Sequence, residues 1–189
     1  MIPVLENPES DEASLMEKAI QLMVYKMTGF KRKGGSRPMI YHSLKVGLVL
    51  EKANERIEVI CGGFLHDLIE DANVTAEEIE FIFGAEIRAL VEACSHDNDL
   101  HEQDRVRAHE DLFRRAVDYG QDAIVIKVAD AADNILDLKN LENDRRLEFI
   151  ERARLWKTAG EQFCGAQHPL VRQLDRRIRR ASIVYPPKI

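Results

Sequence analysis

Ala123-Ile124-Val125-Ile126-Lys127-Val128-Ala129 is the stretch on which the fold class turns. Its β-branched residues favour a strand by composition. A lone strand, however, leaves its backbone N–H and C=O groups unpaired, and no other segment of the chain reads as a partner strand. A helix from about residue 122 to 140 satisfies the same backbone internally, so the chain is expected to be all-α, a helical bundle. On that helix Asp130, Asp133, Asn134 and Asp137 share one arc roughly 100° wide, a polar stripe against an apolar back.

Working outward, the same periodicity places helices on both sides. Residues 1–10 carry two prolines and read as an extended lead-in. A helix then begins near Ser10 or Asp11, buries Leu15, Ala19, Leu22, Met23 and Met27, and ends at Gly29. Phe30 to Pro38 combines four cations with Gly34-Gly35 and a proline, a basic loop. A second helix runs from Tyr41 or His42 to about Ala53, and a third carries Cys61-Gly62-Gly63-Phe64-Leu65-His66-Asp67-Leu68-Ile69-Glu70-Asp71. Thr75 followed by Glu78 is a capping box opening a short helix that Gly84 ends. A helix from Glu86 to about Cys94 follows. Ser95 to Gln103 is polar and is expected to be an exposed loop. Arg105 to Tyr119 is amphipathic and stopped by Gly120, and helices over about 143–163 and 168–183 complete the bundle.

A chain of 189 residues with 45% hydrophobic and 32% charged residues suits one globular domain spanning 1–189. No apolar run approaches the roughly 20 residues that cross a bilayer, and Met1 to Glu6 has no signal-peptide pattern, so a cytoplasmic protein is expected. Cys61, Cys94 and Cys164 are far apart and fit reduced core thiols. The net charge of −6 argues against a general nucleic-acid binder but leaves room for a local basic cluster holding a small anion. The arginines from Arg172 to Arg180 read as a solvated or subunit-facing surface, compatible with a homo-oligomer. His96, His101 and His109, among acidic neighbours, read as part of a solvated stretch rather than a second metal site.

The 61–71 stretch carries the chemistry. As a helix, it places His66, Asp67, Glu70 and Asp71 on one arc roughly 140° wide, opposite Phe64, Leu65, Leu68 and Ile69. A single acidic residue there is ordinary solvated surface. An imidazole and a carboxylate side by side, backed by two carboxylates a turn later, suit a divalent cation with a group nearby to move protons. Joined by His42 and Asp130, they offer two imidazoles and two carboxylates, a set for a borderline-to-hard ion.

In that order, His42, His66-Asp67, Glu70-Asp71, then Lys127-Val128-Ala129-Asp130 and Asn134 resemble the HD-domain phosphohydrolases, and among them the (p)ppGpp hydrolases of the stringent response, over roughly residues 15–140. The resemblance implies an HD-domain helical bundle with His42, His66, Asp67 and Asp130 holding a metal, most often manganese. It also implies that Glu70 and Asp71 serve catalysis and that Arg32, Lys33 and Asn134 contact the nucleotide. The implied reaction removes the 3′ pyrophosphate from guanosine 3′,5′-bis(diphosphate)-type alarmones. Departures concern the nucleotide: Ser43 replaces a proline, the loop before His42 is one residue longer, Ser95-His96 stands where Thr-Lys is common, and Ala131 and Asp133 replace a basic residue and a His or Tyr. Two alternatives follow: hydrolysis of another nucleotide, and a regulatory module that binds metal and nucleotide without turnover.

Overall fold

The structure is a computed structural model that describes residues 12–31 and 38–186. In chain order its helices are α1 (Glu12–Met27), α2 (Ile40–Lys52), α3 (Ile57–Leu65), α4 (Leu68–Asp71), α5 (Ala76–Phe83) and α6 (Ala85–Cys94). They continue with α7 (Asn98–Gln103), α8 (Arg105–Tyr119), α9 (Gln121–Asn134), α10 (Asn143–Phe163) and α11 (Pro169–Val184). Among the described residues there is no β-sheet, only an isolated bridge between Lys31 and Pro38. No helix among them is long and apolar enough to cross a membrane.

The strand-like stretch is the middle of α9, where Ala123 through Asp133 are all buried. A helix enclosed on every side needs no polar face, which is why its composition imitates a strand. It packs against α2, α3, α6, α8, α10 and α11, so the side chains from Ala123 to Asp133 project into the interior. The helix does not run unbroken to residue 140, because after Asn134 the chain tightens into a 3-10 segment, Ile135–Asn140.

Local signals set the other ends. The Thr75 hydroxyl accepts from Glu78 N at 3.2 Å and the Glu78 carboxylate accepts from Thr75 N at 3.0 Å, completing the capping box of α5. Asp104 caps α8 by accepting from Val106 N and Arg107 N. Gly29, Gly84 and Gly120 end their helices with positive φ.

Two further expectations are corrected. Residues 61–71 are not one helix: α3 stops at Leu65, Asp67 adopts φ −93 and ψ −2, and α4 adds a single turn. Ser95–Gln103 is largely exposed as expected but is not a plain loop, since Ser95 is buried and donates its hydroxyl to His66 O at 2.9 Å. The rest of that stretch forms α7, capped by the Asp97 side chain, which accepts from Leu100 N at 2.9 Å. The lead-in 1–10 and the basic-loop residues Arg32 and Lys33 lie outside the described residues. The loop's bases are fixed beside each other by the Lys31–Pro38 bridge and by Met39 N donating to Phe30 O at 2.9 Å.

Candidate metal and catalytic site

The site begins with a close approach of α2 and α3. A Cβ on Gly47 would lie 2.2 Å from a Phe64 ring carbon, and one on Gly63 would lie 2.3 Å from Leu50 Cδ1 and 3.3 Å from Gly47 Cα. Only glycine allows this contact, and it brings His42, in the first turn of α2, to a ring-centroid distance of 5.3 Å from His66. The break after Leu65 does the rest. On a continuous helix neighbouring side chains diverge by about 100°, whereas here His66 Nε2 stands 3.0 Å from Asp67 Oδ1. Asp130 enters from α9, its Oδ1 3.2 Å from His42 Nε2 and 3.9 Å from His66 Nε2. Asp67 Oδ2 is 3.5 Å from His42 Nε2.

All four side chains are buried. Two of their atoms, His66 Nε2 and Asp67 Oδ2, are buried without a hydrogen bond, a costly state for polar atoms unless something else engages them. Ligand atoms of His42, His66 and Asp67 lie within 4.8 Å of one another. Nitrogen and carboxylate oxygen donors converging from three segments fit a divalent cation.

The outer faces of these groups are pinned. His42 Nδ1 donates to Asp133 Oδ2 at 2.8 Å, and Lys45 Nζ donates to Asp133 Oδ1 at 3.1 Å. His66 Nδ1 donates to Gly63 O at 2.9 Å. Each imidazole therefore keeps a proton on Nδ1 and turns Nε2 inward, the arrangement that orients ligand histidines. Asp130 is gripped by Lys127 Nζ at 2.7 Å and by Asn134 Nδ2 at 2.5 Å. Burial opposes every charge here, yet the pairs prevail. His42 is raised to about 9, its burial outweighed by Asp130, Asp133 and Asp67. Asp67 is held low despite burial by the two imidazoles, and Asp130 by Lys127 and the same imidazoles. The cluster is a well of negative potential that attracts positive charge.

Glu70, on the single turn α4 that follows Asp67, is half-buried. Its Oε1 accepts from His96 N at 2.6 Å and from His96 Nδ1 at 3.0 Å. Asp71 closes α4 and is half-buried. Asn134 stands next to Asp130 as the sequence led one to expect, with its amide spent on that carboxylate. Sequence reasoning had passed over Lys127 as a site residue, although its i,i+3 spacing from Asp130 was a readable signal on a helix. It had also passed over the pairing of Asp133 with His42, and of His96 with Glu70, which depend on tertiary contacts.

A profile of the HD domain family matches residues 19–154. The chain belongs to the HD domain family. Every site group just described falls within the matched residues. This HD domain chain is 34% identical over 133 residues to a Xenopus tropicalis protein named guanosine-3′,5′-bis(diphosphate) 3′-pyrophosphohydrolase MESH1, covering 69% of this chain and 73% of that one. It is 32% identical over 117 residues to a Vibrio cholerae guanosine-3′,5′-bis(diphosphate) 3′-pyrophosphohydrolase, covering 60% of this chain but only 17% of that longer protein. Its HD domain fold is similar to a solved structure described as a metazoan ortholog of SpoT that hydrolyses ppGpp. The TM-score is 0.76 at 24% identity, covering 92% of this chain and 97% of that one.

Proposed function

We propose that the protein is a metal-dependent phosphohydrolase that removes the 3′ pyrophosphate from guanosine 3′,5′-bis(diphosphate)-type nucleotides. In this reading His42, His66, Asp67 and Asp130 hold a divalent ion, manganese by family resemblance, and the enzyme works in the cytoplasm. The observation that carries it is the buried convergence of two imidazoles and two carboxylates, with Glu70 on the single helical turn that follows Asp67. The bond to break is the one its relatives are named for cleaving.

A divalent ion bound by these residues supplies a water of lowered pKa and a polarised phosphoryl oxygen. The remaining work belongs to the chain. Glu70 and Asp71 orient the attacking water, accept its proton and return one to the departing 3′ oxygen, so that the O–P bond breaks and GDP and pyrophosphate result. Arg32 and Lys33 hold the polyanion by charge-assisted hydrogen bonds, and Asn134 faces the nucleotide. Lys127 and Asp133 keep the ligand side chains from turning away.

Asp133 also favours a second reading, hydrolysis of a different phosphorylated nucleotide, because it places a carboxylate where relatives place a His or Tyr. A panel of nucleotides assayed with manganese for phosphate and pyrophosphate separately tests both. Pyrophosphate from ppGpp alone supports the first reading, and consumption of another nucleotide with ppGpp untouched supports the second. Tight nucleotide binding without product over hours contradicts both.

A further inference from the structure

A chain of hydrogen bonds runs into Glu70 from the far side of the site. Arg152, on α10, places Nη1 2.6 Å from His109 Nε2; His109 Nδ1 lies 2.6 Å from His96 Nε2; and His96 Nδ1 lies 3.0 Å from Glu70 Oε1. A guanidinium can only donate. His109 Nε2 must therefore accept, which leaves the proton of a neutral His109 on Nδ1. His96 Nε2 must then accept from it, and the His96 proton is on Nδ1, directed at Glu70. The polarity of every link follows from the arginine, with no free choice of tautomer. His101 packs its ring 5.1 Å from that of His96 and 5.6 Å from that of His109.

We propose that Arg152, His109 and His96 form a one-way hydrogen-bond relay that positions Glu70, fixing its Oε1 so that Oε2 is the oxygen left to serve the reacting water. This rests on the proposed catalytic role of Glu70. A second metal site made of the three histidines is the weaker explanation, because the facing nitrogens of His96 and His109 are consumed by each other and a guanidinium occupies the outer nitrogen. The surroundings agree with a neutral His109: burial and then Arg152, with His96, His101 and Lys127 also facing it, hold it down to about 3. Arg152, itself half-buried, remains charged because its intrinsic pKa is so high. The relay does not pump protons, since its outer end cannot surrender one. It acts by geometry.

Two measurements on the full chain test it. NMR of isotope-labelled histidine should find His96 and His109 as Nδ1–H tautomers, with His109 neutral between about pH 8 and pH 5. Either residue in the Nε2–H form, or His109 titrating with an ordinary pKa, overturns the relay. In manganese-loaded protein acting on ppGpp, His96→Ala should lower kcat about tenfold or more with KM and bound metal within about twofold. His96→Asn, whose amide nitrogen replaces the Nδ1 donor, should restore most of it, and Arg152→Met should resemble His96→Ala. An unchanged kcat in His96→Ala while Glu70→Gln is crippled overturns the positioning role alone. Wild-type turnover in Glu70→Gln instead overturns the catalytic reading of Glu70 and the positioning role with it. The tautomer result stands apart from activity.

Discussion

Gly47→Ala is the substitution through which packing and chemistry are most tightly joined. The new methyl would sit 2.2, 2.3 and 2.6 Å from Cε1, Cδ1 and Cγ of Phe64, against a comfortable carbon separation of about 3.5–4.0 Å. Relief needs a shift of more than about 1 Å, and the Phe64 ring, fully buried, has no open side to swing toward. Overpacking of this kind costs about 1–3 kcal/mol, or about 2–12 °C in melting temperature for a domain of this size. Spreading α2 from α3 also separates His42 from His66, so manganese affinity should fall about tenfold or more. Thermal unfolding by circular dichroism, with and without manganese, and a manganese titration read both effects. Phe64→Leu removes ring atoms that the methyl meets, so the double variant should be less destabilised than the sum of the singles, with a coupling of about 1 kcal/mol or more. A Gly47→Ala protein that melts and binds manganese like wild type, or strict additivity in the cycle, would refute the close approach as the origin of the site.

Other outcomes follow from the same geometry. Asp67→Ala should lose bound manganese and activity together, because one of four donors is gone; full metal content with full activity would place the site elsewhere. Glu70→Gln should keep the metal and lose about 10²-fold in kcat, since it keeps the shape but not the proton acceptor. Metal content and turnover measured on the same sample decide it. Acid should weaken the fold through His109. Its folded pKa, about 3, lies below the ordinary 6.5, so between these values the unfolded chain holds a proton that the folded chain refuses. That contribution is complete above about 6.5 and is lost as pH falls toward 3. Urea unfolding between pH 7 and pH 5 should show a shallower loss in His109→Gln than in wild type, and an equal slope in both would contradict the assignment.

The helices were legible wherever chemistry at their ends is local. The end of α8 follows from Gly120, and the start of α5 from its capping box. The class itself turned on α9, and the argument from unpaired backbone held because a helix buried all round shares its composition with a strand. The break between α3 and α4 was not legible. Its glycines, Gly62 and Gly63, lie inside the helix where neighbours crowd them, and not at the break, so the residues that punctuate a chain gave no warning. At Ser95–Gln103 polar composition matched the exposure but hid the α7 helix and the burial of Ser95. The buried Ser95 hydroxyl shares its one proton between the backbone carbonyls of Val91 and His66, a role that composition does not encode. Among site residues, His42, His66, Asp67 and Asp130 converge as their order suggested, whereas Arg152 reaches His109 across 43 positions. Such a contact exists only once α8 and α10 have both packed on α9.

The central claim is a particular bond cleavage at this site, and a product analysis reaches it directly. Purified, manganese-loaded protein incubated with ppGpp should yield GDP and pyrophosphate in equal amounts, and chelation of the metal should stop the reaction. Intact ppGpp after prolonged incubation with metal-loaded protein, or release of single phosphates instead of pyrophosphate, would contradict it.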